Sequence, residues 1–102
     1  MSNLISVSFE VRNMAIMKDT LKQMGLEATE QNETLTIMRN RYPISINAST
    51  GEISFDSDQR REVDQIKQTY MENFYRDRAI REGMKIHKEV KANGVIELYL
   101  TN

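Results

Sequence analysis

The chain has 102 residues, with 14 Lys and Arg against 15 Asp and Glu, one His, and neither Cys nor Trp. Without cysteine there is no disulfide framework, no thiolate zinc or iron–sulfur site and no cysteine nucleophile. A net charge of −1 argues against a global electrostatic hold on nucleic acid.

The length suits one small domain over residues 1–102. The N-terminal stretch has no basic region and no long apolar run, so no secretory leader is expected. No apolar segment approaches the ~20 residues that span a bilayer. These features and the lack of Cys point to a cytoplasmic location with no membrane association.

Residues 4–12 alternate. Ile5, Val7, Phe9 and Val11 point one way and Ser6, Ser8, Glu10 and Arg12 the other, which predicts a strand with one wet face. Asn13 is a fair N-cap. Met14, Met17, Leu21 and Met24 then recur at helical spacing until Gly25. Such a methionine stripe packs a helix on its sheet more often than it forms an adaptable recognition surface. Ile16 lies off that stripe and is expected to be exposed.

Short strands follow. Leu26 to Glu30 is a weak one, and Gln31-Asn32-Glu33 reads as a turn. Leu35 and Ile37 alternate with Thr34 and Thr36. Pro43 marks a strand start or an edge. Ile44 and Ile46 lead into the turn Ser49-Thr50-Gly51, and Ile53 and Phe55 return. Asp56 and Gln59 fit a capping box. The helix it opens should run to about Glu82, with Gly83 as terminator. Val63, Ile66, Tyr70 and Phe74 lie within ~80° of one another on it. Ile86 and Val90, then Ile96, Leu98 and Leu100, close the chain as a hairpin turned at Ala92-Asn93-Gly94.

This order predicts an α+β two-layer sandwich. Its sheet is mainly antiparallel, both helices lie on one face, and ferredoxin-like topology is the best-known relative.

Three segments carry a resemblance. They are Asn13-Met14-Ala15-Ile16-Met17-Lys18-Asp19-Thr20-Leu21, then Gln68-Thr69-Tyr70 through Ala79-Ile80-Arg81-Glu82-Gly83-Met84, and Glu89-Val90-Lys91-Ala92-Asn93-Gly94-Val95-Ile96-Glu97-Leu98. Together they resemble the small uncharacterised family of hypothetical chloroplast open reading frame 35, with plastid, cyanobacterial, bacterial and phage members. The resemblance implies no established activity and so no catalytic residue. Its bacterial members are often encoded beside an AAA-type ATPase, which implies partnership with a larger machine. The family usually has a longer, tryptophan-containing segment before the long helix. Here Phe55-Asp56-Ser57-Asp58 enters the helix directly, which puts an identical partner in doubt.

Few residues could carry chemistry. His87 sits on a strand face with Glu89 two residues on, and an exposed His on a mixed polar face is the simpler reading. Ser6 and Ser8 lie in no nucleophile elbow. There is no phosphate-cradling glycine loop and no His-Glu-x-x-His. Glu27, Glu30 and Glu33 cluster near a turn without His or Cys beside them, so they read as solvated. No metal, cofactor or catalytic residue is expected.

The long helix is more informative. Its apolar stripe turns polar at Asn73, Asp77 and Arg81, spaced i, i+4, i+8. Either the helix overshoots the sheet there, or Tyr70, Asn73, Tyr75, Asp77 and Arg81 form a partner-facing patch; Tyr and Arg are enriched in binding hot spots. Arg39 and Arg41 form a secondary basic patch near a sheet edge. Arg60, Arg61, Arg76 and Arg78 add further basic residues. No aromatic RNA-binding motif accompanies them, and Tyr99 alone makes a poor stacking platform, so nucleic acid ranks behind protein as a partner.

The expected function is therefore a small non-enzymatic protein-interaction module, an accessory subunit or adaptor of a larger machine. A phage-type inhibitor of a host protein and a weak single-stranded nucleic-acid binder are the alternatives. A homodimer through a strand edge is a further expectation.

Overall fold

Alternation and turn chemistry account for most of the architecture. The computed structural model describes residues 3–38, 42–92 and 94–101. In chain order the elements are β1 (Leu4–Ser8), α1 (Met14–Gln23), β2 (Ala28–Gln31), β3 (Thr34–Ile37), β4 (Ile44–Asn47), β5 (Glu52–Asp56), a 3-10 turn (Ser57–Gln59), α2 (Arg60–Glu82), β6 (Lys85–Val90) and β7 (Ile96–Thr101). The fold is α+β. An antiparallel sheet of five strands, ordered β1-β5-β4-β3-β2, is covered by the two helices, and β6 and β7 pair as a second sheet.

Each turn follows from its residues. Asn32 and Glu33 take φ of 50° and 63°, the left-handed pair that a two-residue hairpin loop requires. Asn47 Oδ1 accepts the N–H groups of Ser49 and Thr50, closing the β4–β5 turn. Asp56 is buried and completes the expected capping box with Gln59 before α2. Gly83 ends α2 at φ +68°, a conformation cheap for glycine, and donates to the carbonyl of Ile80. In the last hairpin turn Asn93 lies outside the described residues. Its flanks are bonded: Lys91 N–H to Val95 O, and Gly94 N–H to Lys91 O.

The core sits between sheet and helices. Leu35, Ile37, Ile44, Ile46, Ile53 and Phe55 rise from the sheet to meet Met17 and Leu21 of α1 and Val63, Ile66 and Tyr70 of α2, all essentially inaccessible. Met14 and Met24 pack against this core, as a helix-on-sheet stripe should. Ile16 packs there too, contrary to the expectation of exposure. Ile16 lies in the first turn of α1 and donates its N–H to the N-cap Asn13 Oδ1.

The opposite sheet face is wet and almost uncharged. One row runs across all five strands through the register pairs Ser6–Ser54, Ser54–Ser45, Ser45–Thr36 and Thr36–Thr29. The next row is Ser8, Glu52, Asn47, Thr34 and Gln31. Ser6 Oγ donates to Glu52 Oε2 at 3.1 Å, so Ser6 and Ser8 belong to the polar strand face that the alternation predicts.

The topology is not ferredoxin-like. That arrangement returns the strand after the second helix to the main sheet. Here β2 to β5 form a continuous meander, β5 takes the place beside β1, and β6 pairs with β7 alone. Helix length gives the reason. α2 has 23 residues and spans ~35 Å, while strands of four or five residues span ~17 Å. The chain leaves α2 past the end of the sheet, and β6 pairs there with β7. The dimensions are accordingly elongated, 47 × 34 × 24 Å.

Candidate interaction site

α2 has two working faces. Val63, Ile66 and Tyr70 face the main core. A second stripe, Gln68, Met71, Glu72, Tyr75 and Ala79, also recurs at helical spacing and faces the β6–β7 hairpin. Glu72 fixes the two together: its Oε1 lies 3.2 Å from Lys88 Nζ of β6, and Gln68 Nε2 donates to the same oxygen at 3.4 Å. Ala79 is buried.

Between this stripe and the hairpin lies an open cleft of about 670 Å³. Met71 and Tyr75 contribute from α2 together with the polar Asp64, Lys67, Gln68 and Glu72, and Val95, Ile96 and Leu98 from the hairpin. Val95 is 49% exposed, and Val90, Ile80 and Tyr99 are also exposed on this arm of the molecule. On the other side of Tyr75 a smaller recess of about 220 Å³ is lined by Phe9, Arg12 and Phe74. The rings of Phe9, Tyr70, Phe74 and Tyr75 touch in succession, with centroids 5.5, 5.9 and 5.6 Å apart. This aromatic chain leads from the core to the surface.

No protein-family model, curated protein or solved structure matches the chain.

The patch read from the sequence is divided by the structure. Tyr70 is 1% exposed and is not available to a partner. Its ring fills the core, and its hydroxyl accepts the backbone N–H of Arg12 at 3.0 Å and of Asn13 at 3.2 Å. Asn73 faces α1, donating to Thr20 Oγ1 and Gln23 Oε1, both at 3.0 Å. The buried Thr20 hydroxyl in turn donates to Ile16 O at 2.7 Å. Asp77 and Arg81 form a well-exposed i,i+4 ion pair at 3.0 Å, the solvated helix end of the simpler reading. Tyr75 stands apart from them on the cleft wall. Of the proposed patch, Tyr75 borders the cleft, and Tyr70 lines only the smaller recess beside Phe9 and Phe74.

Arg39 and Arg41 lie outside the described residues. Of the further arginines, Arg60 stacks 5.5 Å above the Phe55 ring, and Arg78 reaches Glu82 at 3.2 Å. The acidic turn region is also engaged, with Glu30 meeting Lys18 at 2.6 Å across a groove between β2 and α1. Among the described residues no three acidic or His side chains group as a cation site.

The outer face of the hairpin is polar. His87 lies across from Tyr99, with ring centroids 6.4 Å apart. Glu89 faces Glu97, and Lys91 lies between them at 3.1 and 3.7 Å. The Tyr99 hydroxyl donates to the Glu97 carboxylate. That bond, with slight desolvation and the negative charges of Glu97 and Glu89, holds the phenol above its ordinary pKa. Among the described residues no helix is long and apolar enough to cross a membrane.

The sequence held a signal for the cleft. Met71, Tyr75 and Ala79 repeat at i, i+4, i+8 beside the main stripe. Intervening Glu72, Arg76 and Arg78 mask it as a charged face.

Proposed function

We propose that this chain is a non-enzymatic protein-interaction module that holds an apolar segment of another protein in the cleft between α2 and the β6–β7 hairpin. The observation that carries this reading is the apolar wall of Met71, Tyr75, Val95, Ile96 and Leu98 left open beside the core. A concave surface that gathers partly exposed apolar side chains with a few polar groups beside them is the usual form of a binding site. Tyr75 is a suitable anchor, because an aromatic side chain supplies contact area at small entropic cost. The resemblance to the open reading frame 35 family, with bacterial members encoded beside an AAA-type ATPase, favours an accessory subunit of a larger machine.

Site-directed photo-crosslinking tests this. A photoreactive residue at Val95 is expected to capture a discrete protein in the native host, and the same probe at Ser45 on the opposite sheet face is not. Capture should disappear when Met71→Asp is added and far-UV circular dichroism is unchanged. Equal capture from both positions, or none from Val95, would overturn the assignment.

A further inference from the structure

The two edges of the five-stranded sheet are built differently. At the β2 edge, the inner row Val7, Ile53, Ile46, Leu35 ends on Glu30, a charge on the core side held by Lys18. Its neighbour on that face is the small Ala28, opposite Ile37. An inward charge is a standard guard against edge-to-edge pairing. The β1 edge has no such guard. Asn3 to Phe9 contains no charged residue and no proline. Ile5 and Val7 remain half-exposed, whereas Ile53 and Phe55 beside them are fully buried.

The backbone of β1 has a defined free side. Ser57 donates to Asn3 O, and Phe9 donates to Gly51 O. These two bonds fix the odd residues as the ones bonded to β5, so Leu4, Ser6 and Ser8 turn their N–H and C=O groups outward. The side chains around Ser6 are palindromic in character, with Ile5 and Val7 flanking it.

We propose that β1 pairs with β1 of a second copy, antiparallel about a two-fold axis through Ser6, joining two five-stranded sheets into one of ten. In this register Ser6 exchanges hydrogen bonds with Ser6 of the other copy, and Leu4 with Ser8. Ile5 stands opposite Val7 on the core side, completing the core where it is now half-open. Such cross-strand apolar pairs stabilise a sheet. On the wet side the hydroxyl row from Thr29 to Ser6 continues unbroken into the second copy. A two-fold axis perpendicular to the sheet keeps all helices on one side, and the contact is isologous and closed. It uses no residue of the cleft, so it stands or falls separately from the proposed partner site.

Sedimentation velocity over a concentration series is the primary test. The protein is expected to sediment at twice its 11.9 kDa chain mass and to dissociate on dilution. Ser6→Pro removes an outward N–H and leaves the backbone bonds to β5 in place; of the contacts to β5 it loses the exposed side-chain bond to Glu52. It should weaken the dimer on the order of 100-fold while circular dichroism stays unchanged. The chain has no native cysteine, so Ser6→Cys gives an independent reading should Ser6→Pro fail to fold. A hydrogen-bonded pair across the axis has Cα atoms ~5.5 Å apart, within disulfide range. Ser6→Cys should oxidise to a covalent dimer, and Thr29→Cys, at the guarded end of the same row, should not. A monomer at all concentrations, a folded Ser6→Pro that remains dimeric, or equal crosslinking from both cysteines would overturn the proposal.

Discussion

The hydroxyl of Tyr70 accepts the backbone N–H of Asn13 at 3.2 Å, 57 residues away in the chain. The same oxygen accepts the N–H of Arg12. One side chain of α2 thereby fixes the start of α1, where helix geometry leaves N–H groups without intrahelical partners. Tyr70→Phe keeps the ring and strands both donors. The expected cost is about 1–3 kcal/mol, read as a shift in the chemical denaturation midpoint. No measurable shift would mean that water replaces the hydroxyl at no cost.

Asn73 and the Asp77–Arg81 pair lie on one helical stripe but differ in consequence. Asn73→Ala removes the amide that joins α2 to Thr20 and Gln23 of α1, and about 1 kcal/mol should be lost. The double variant Asp77→Ala with Arg81→Ala removes an exposed pair, and stability should stay within about 0.5 kcal/mol of the parent. Denaturation curves for the two variants check the ordering, which fails if the double variant is the less stable.

Tyr99 should impose an alkaline limit on the hairpin. Its pKa is raised in the folded state, chiefly by the hydrogen bond to Glu97. The stabilisation from that bond is therefore fully present below the ordinary tyrosine value of ~10 and is lost as pH climbs through the folded value. The tyrosinate absorbance difference between the parent and Tyr99→Phe isolates this group. Its midpoint should fall above ~10; a midpoint at or below that value would mean that the bond to Glu97 does not persist in solution.

How much of this was legible in the sequence depends on whether the signal is local. The capping box of Asp56 and Gln59 and the hairpin at Gly94 depend on near neighbours and locate their elements well, whereas the alternation that runs to Arg12 overshoots β1, which ends at Ser8 because its partner β5 begins at Glu52. Strand order does not follow from alternation. A period of two says which face of a strand is dry and leaves open which strand lies beside it. The last strands do not return to the sheet, and the 23-residue α2 that carries the chain past it is legible only by comparing its length with that of the strands. The role of Tyr70 was hidden for a related reason: its position marks it as apolar stripe, while its hydroxyl serves groups 57 and 58 residues away. The cleft was masked because the Met71, Tyr75, Ala79 stripe is interleaved with ionic side chains, one of which, Glu72, itself grips the hairpin at Lys88.

Because α2 is shared, its two faces need not come undone together. A lone two-stranded ribbon has little stability of its own, and β6 and β7 depend on α2 for their support. Letting go of the ribbon would leave Val63, Ile66 and Tyr70 seated where they are. The chain therefore has a low-energy route to partial opening. In that route the last twenty or so residues exchange their amide protons well before those of β3 to β5, and the cleft widens as they do.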